Sequence, residues 1–140
     1  MPATTETLTM EHDYASPPER VFEAWMDVDL LRLWFGCGPD TLWNVHVWEP
    51  RVGGRIHVSL DFDGRPYEVR GEVLVVDPPR RLQYRWSDDE IVEVTIEPHR
   101  SGSRLRLAHT YRAGEEARSM LTMGWSNSLE QLGHVGADAP

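Results

Sequence analysis

The stretch LWFGCGP, residues 33–39, carries the chain's single cysteine. A thiol acts as a nucleophile only with a lowered pKa and a base within reach. The nearest histidine in sequence to Cys37 is His46, on the following segment. The segment therefore reads as a glycine-flexible loop with a small residue at Cys37, and a reactive thiol is the alternative. His109 is the second candidate. Strand alternation turns it inward between Leu107 and Tyr111, where it is either a hydrogen-bonded core residue or a ligand contact and general acid/base. His46 and His57 face each other if EPRVGG closes a symmetric hairpin. No third ligand lies at metal-site spacing and Arg70 falls beside His57, so the pair reads as exposed, with no metal.

The remaining polar groups carry less chemistry. Asp88, Asp89 and Glu90 read as a turn, and Glu68, Glu72, Glu93 and Glu97 point outward, so no inward pair of acids supports a two-carboxylate hydrolase. Ser87, Ser119 and Ser126 lack a strand-to-helix elbow. GGR at 53–55 is a hairpin turn, since neither a helix nor a lysine follows it.

Positioning these groups falls to a chain of 140 residues, 40% hydrophobic, which suits a single domain over 1–140 with its core at about 5–135. All 14 basic residues are arginine, and 23 acids bring the formal charge to −9. An acidic surface disfavours nucleic acid and anionic membranes, and the missing lysine removes Schiff-base and P-loop chemistry. No apolar run approaches a membrane span and the first residues lack a secretory signal pattern. The lone cysteine fits a cytoplasmic location.

Residues 5–14 read as a strand. Ser16 is the expected cap of a helix carrying Val21, Phe22, Trp25 and Met26 on one face, and a second short helix follows from Asp27 to Trp34. Then come alternating strands joined by turns. Asp63-Gly64 sets Leu60, Val58 and Ile56 opposite Tyr67, Val69 and Gly71. The turn at 77–80 sets Val75 against Leu82, Val73 against Tyr84 and Gly71 against Trp86. The turn at 87–91 sets Trp86, Tyr84 and Leu82 near Val92, Val94 and Ile96. The turn at 98–103 sets Ile96, Val94 and Val92 opposite Leu105, Leu107 and His109. One face is apolar throughout. The other pairs Arg85 with Glu93, and Arg81 or Arg104 with Glu97. A helix over 115–135 follows, with Leu121, Trp125, Leu129 and Leu132 as its stripe, widened by Met120 and Ala117. The expected class is α+β, a curved antiparallel sheet around a long C-terminal helix.

The aromatic complement is large for this length. Trp34, Phe35, Trp43, Tyr67, Tyr84, Trp86, Tyr111 and Trp125, with His109 and Met120, are the expected ligand-binding residues. Gly71 is added as a place where a missing side chain leaves room.

Taken as a set, ASPPERVFEAWMD, LWFGCGP, EPRVGGRIHV, GEVLVVDPPRRLQYRW, LAHTY and MGWSNSLEQL resemble the heat-shock-protein-90 ATPase activator homologue-like branch of the SRPBCC (START-like, polyketide cyclase-like) superfamily, over about residues 10–135. The resemblance implies a helix-grip fold with a pocket closed by the last helix, and a loop at Cys37 bordering the pocket mouth. It also implies a cytoplasmic, often dimeric protein that holds an apolar small molecule, a lipid among them, or contacts a protein partner. LAHTY matches the family pattern at His109. No cofactor is implied. Three functions stay open: an apolar or aromatic ligand binder, a cyclase or aromatase using His109 with Tyr67 or Tyr111, and an interaction module acting on a chaperone or client or through a homodimer.

Overall fold

The computed structural model describes residues 4–38, 41–62 and 64–134. Strand β1 (Thr5–Tyr14) is followed by helices α1 (Pro18–Met26) and α2 (Val28–Trp34). A short hairpin follows, made of β2 (Gly36–Gly38) and β3 (Thr41–Leu42). Strands β4 (Asn44–Trp48), β5 (Arg55–Phe62), β6 (Arg65–Asp77), β7 (Arg81–Ser87), β8 (Glu90–His99) and β9 (Gly102–Arg112) lead to helix α3 (Glu115–Leu132). The seven long strands form one antiparallel sheet in the order β1-β9-β8-β7-β6-β5-β4. The first strand thus returns to pair with the last, and the three helices cover the apolar side.

The α1 boundary differs from the expected one. Pro17 occupies the cap position with no side-chain hydrogen bond, and Pro18 starts the helix with its φ already helical. Ser16 serves through its backbone, its carbonyl accepting the Ser103 hydroxyl in a buried contact with β9. Asp27 does cap α2, accepting from the amides of Asp29 (2.9 Å) and Leu30 (3.4 Å).

Two hairpins have the expected register: Leu60 opposes Tyr67 and Ile56 opposes Gly71, while Val92 opposes His109 and Ile96 opposes Leu105. Asp63 of the first turn lies outside the described residues, as do Pro39 and the chain beyond His134. The β6–β7 ladder shifts between Val73 and Val75, so Leu82 opposes Val76 and Gln83 opposes Val75. One extra residue in one strand changes its partner count by one. The β7–β8 pair sits two residues from the expected register, with Leu82 opposite Val94 and Tyr84 opposite Val92. A shift of two leaves every side chain on its face, and hydrophobic alternation therefore cannot distinguish the two registers.

That slip rearranges the outer face. Arg85 reaches Glu72 (3.4 Å), Glu93 takes Arg81 (2.7 Å), Glu97 takes Arg106 (3.3 Å), and Arg104 binds Asp13 (2.8 Å). These exposed pairs each contribute little. The apolar face holds the core: Trp25, Trp34, Leu31, Tyr84, Leu105 and Leu107 are fully enclosed. In α3 burial is confined to the second half, at Gly124, Trp125, Ser128, Leu129 and Leu132. Leu121 and Ala117 are only partly covered, and Met120 is 46% exposed. No helix among the described residues is long and apolar enough to cross a membrane.

Gly71 corrects another expectation. A Cβ at this position would collide with the backbone carbonyl of Arg85, so the glycine lets β7 approach β6 and opens no room for a ligand. Gly71→Ala is expected to cost about 2 kcal/mol or more, read as a lowered urea midpoint at unchanged slope. A change within about 0.5 kcal/mol would mean that the two strands do not approach this closely there.

Candidate functional site

The C-terminal end of α2 delivers Phe35 and Gly36 to the space under α3. Ser128 holds Gly36 there from the helix, its hydroxyl donating to the Gly36 carbonyl (2.8 Å) and accepting from the Gly36 amide (3.3 Å). Tyr14 donates to the Leu129 carbonyl (2.7 Å), fastening the same half of α3 to β1. Between this fastened half and the strands remains an inner cavity of about 70 Å³. Phe35, Trp43, Trp86 and Trp125 give it aromatic walls, Met120 and Leu121 border it from the helix, and His109 is its polar wall group. The rings interlock edge to face: Trp86 stands 5.4 Å from Trp43 and 5.7 Å from Phe35.

Met120 and Leu121 are shared with an outer groove of about 500 Å³, which runs past Tyr67, Ser87, Glu90 and Tyr111. A drug-sized ligand needs roughly 300–1,000 Å³. The inner cavity alone falls short of this. The outer groove, which shares Met120 and Leu121 with it, lies within the range.

His109 is enclosed, its side chain 3% exposed. Trp125 Nε1–H donates to His109 Nδ1 (2.9 Å). An indole nitrogen only donates, so Nδ1 must be the bare nitrogen and the ring proton sits on Nε2. That proton is directed to Glu90 Oε1 (2.9 Å), and the Ser87 hydroxyl donates to Glu90 Oε2 (3.0 Å). Burial works against ionisation of Glu90, but the His109 and Ser87 hydrogen bonds outweigh it and hold the carboxyl below the ordinary glutamate range. A chain Trp125–His109–Glu90–Ser87 thus runs from α3 through β9 to the start of β8 and the end of β7.

The structure gathers Phe35, Trp43, Trp86, His109, Met120 and Trp125 around the inner cavity and places Tyr67 and Tyr111 on the outer groove. Tyr111 is itself buried, donating to Glu6 (3.0 Å). Trp34 and Tyr84 lie apart from both, in the packed core. Trp34 donates to the Ala24 carbonyl (3.0 Å) and stacks edge-on against Trp25. The Tyr84 hydroxyl has no hydrogen-bond partner among the described residues, and burial pushes the phenol well above its usual range. Cys37 has its backbone in β2, and its side chain lies outside the described residues. His46 and His57 are neighbours, ring centres 4.7 Å apart, but His57 binds Glu68 (3.0 Å) and His46 binds Ser59 (2.6 Å). Among the described residues no group of three or more His, Cys, Asp or Glu could hold a metal ion.

Glu90 is the residue that sequence reasoning missed. Assigning it to a turn hid its side chain. Val92 opposite His109 was the available signal, because alternation along β8 puts residue 90 on the same face as residue 92.

The chain matches the family model described as Activator of Hsp90 ATPase homolog 1-like protein over residues 15–136. No curated protein matches it in sequence. Among solved structures, a Chromobacterium violaceum protein is 26% identical with a TM-score of 0.80, covering 92% of this chain and 96% of its own. A Mycobacterium smegmatis protein is 24% identical with a TM-score of 0.75, covering 95% and 96%. A Staphylococcus aureus protein of unknown function is 17% identical with a TM-score of 0.79, covering 95% and 94%. The last two share the fold alone. This likeness agrees with the expected α+β helix-grip architecture.

Two outcomes follow from the hydrogen-bond chain. His109→Leu removes the partner of the Trp125 indole and one partner of Glu90, and is expected to lower stability by about 2–4 kcal/mol in urea unfolding; an unchanged midpoint would mean that the chain does not form. For Glu90 the sign follows from its depressed pKa: its contribution is complete above the unfolded-state value and is lost as the pH falls through the lower folded-state value. Glu11, Asp13, Glu49 and Glu68 act in the same direction. Glu90→Gln should therefore flatten the acid limb of stability against pH only in part, and superimposable limbs would contradict the assignment.

Proposed function

The chain belongs to the family of Activator of Hsp90 ATPase homolog 1-like proteins, and on that premise we propose that the cleft under α3 is a binding site for an apolar, aromatic-bodied small molecule. Family membership by itself suggests a ligand-binding or interaction domain. The observation that carries the finer reading is an aromatic inner cavity and a larger groove that share Met120 and Leu121 as wall residues, on a half-helix with no fully buried residue. Aromatic walls with few polar groups are the usual make-up of a small-molecule site, and an exposed methionine at the border adapts to varied shapes.

The hydrogen bonding of His109 argues for binding over catalysis. A general base must present a lone pair to the reacting proton, but Nδ1 is occupied by Trp125 and the Nε2 proton by Glu90. The imidazole is held as a wall and fastens the helix to the sheet. A chaperone-directed role, suggested by the family's description, would act through the protein's outer surface and leave the cavity's ligand content immaterial.

Native mass spectrometry of gently purified protein, with analysis of the denatured extract, tests the reading. An apolar species is expected on the wild type and absent from Leu121→Trp, whose larger side chain takes up space at the wall that cavity and groove share. A ligand retained by a folded Leu121→Trp would place the site elsewhere. Wild type free of small molecules, and unresponsive to added aromatic probes, would overturn the reading.

A further inference from the structure

The outer groove carries, at Glu90, a negative charge with no guanidinium against it among the described residues. Two other acids on this side are matched: Asp89 pairs with Arg112 (2.7 Å) and Glu6 with Arg118 (3.6 Å). Glu90 is held by the Ser87 hydroxyl and by the Nε2–H of an imidazole whose other nitrogen is bare. Both donors are neutral. Its side chain is 25% exposed and borders the groove, and a glutamate carboxyl is an anion at neutral pH.

The rings beside it favour the same kind of guest. Aromatic faces carry negative potential and attract cations, the more so where water is excluded. Trp43, Trp86, Phe35 and Trp125 present four such rings within one small cavity. The N–H groups of His109 and Trp125 are each directed to a partner within the protein. Arg112, the cation of the groove, is tied to Asp89. The formal charge of −9 raises the local concentration of cations and repels anions.

We propose that the cleft takes an organic cation, an amine or quaternary ammonium group lying beside Glu90 in the groove, with its aromatic or branched apolar body reaching past Met120 and Leu121 into the ring-lined cavity. The proposal rests on the reading of this cleft as a small-molecule site and names the ligand's chemical class. Glu90 supplies charge and the rings of the cavity supply apolar area.

The test titrates isotope-labelled full-length protein with three probes and follows the tryptophan indole N–H signals. The probes are benzyltrimethylammonium, its uncharged carbon isostere neopentylbenzene, and phenylacetate. The cation is expected to bind at least about tenfold more tightly than the neutral isostere, with phenylacetate the weakest. In Glu90→Gln the cation's advantage should shrink to less than about threefold. Equal affinities for cation and isostere in the wild type, or an undiminished preference in a folded Glu90→Gln, overturn the proposal. Neutral-probe binding that Leu121→Trp abolishes would leave the cleft as a binding site even then. Indole signals unmoved by any probe overturn both. The wild-type comparison decides the ligand class without requiring any variant to fold.

Discussion

The hydrogen bond from the Trp125 indole to His109 joins the covering helix to the sheet where water is excluded, and among the described residues neither Trp125 Nε1 nor His109 Nδ1 has a second partner. Breaking it would leave a buried donor and a buried acceptor unpaired, a larger loss than the bond's own net worth. Its direction also decides the imidazole's protonation, and through that decides that Glu90 is approached by a proton rather than a lone pair. One contact thus joins α3 to the sheet and fixes the tautomer of His109 in the wall of the inner cavity.

The division of α3 into a fastened half and an uncovered half follows from the same region. Tyr14 and Ser128 add bonds to the Leu129 carbonyl and the Gly36 backbone, all within the second half. The first half has no fully buried residue and overlies the cleft with Leu121 partly and Met120 largely exposed. The hollow and the groove thus lie along the uncovered half of the helix, at Met120 and Leu121. Shared fold with structures of 17–26% identity carries no reaction with it. Function in such a fold has to be argued from the walls of the cleft, and these walls combine aromatic rings with the carboxylates of Asp89 and Glu90.

Much of the fold was legible because turn chemistry and alternation are local. Asp63-Gly64 and the 98–103 turn set two hairpins to the residue, and Asp27 marked the start of α2. The failures were equally physical. Alternation has a period of two, so it cannot detect the two-residue slip of β7 on β8, and it says nothing of a bulge such as that between Val73 and Val75. The slip hid Glu90 and sent Arg85 to Glu72 instead of Glu93. Gly71 shows the same limit, since a missing side chain reads as space from sequence and is in fact the closest approach of two backbones.

By itself the sequence determined which residues share a face: the inward set from Ile56 to Tyr111, and the α3 stripe through Trp125, Leu129 and Leu132. It determined the class of fold for the same reason, because period and turn type act between near neighbours in the chain. Only the tertiary structure decided which members of that face line a hollow and which fill the core. Trp86 and Tyr84 are two residues apart on one strand face, yet one borders the cavity and the other is sealed beneath Trp25 and Trp48. Depth beneath a covering element depends on where α1, α2 and α3 come to rest, and that is set by contacts such as Trp125 with His109, which lie 16 residues apart in the chain and on different elements.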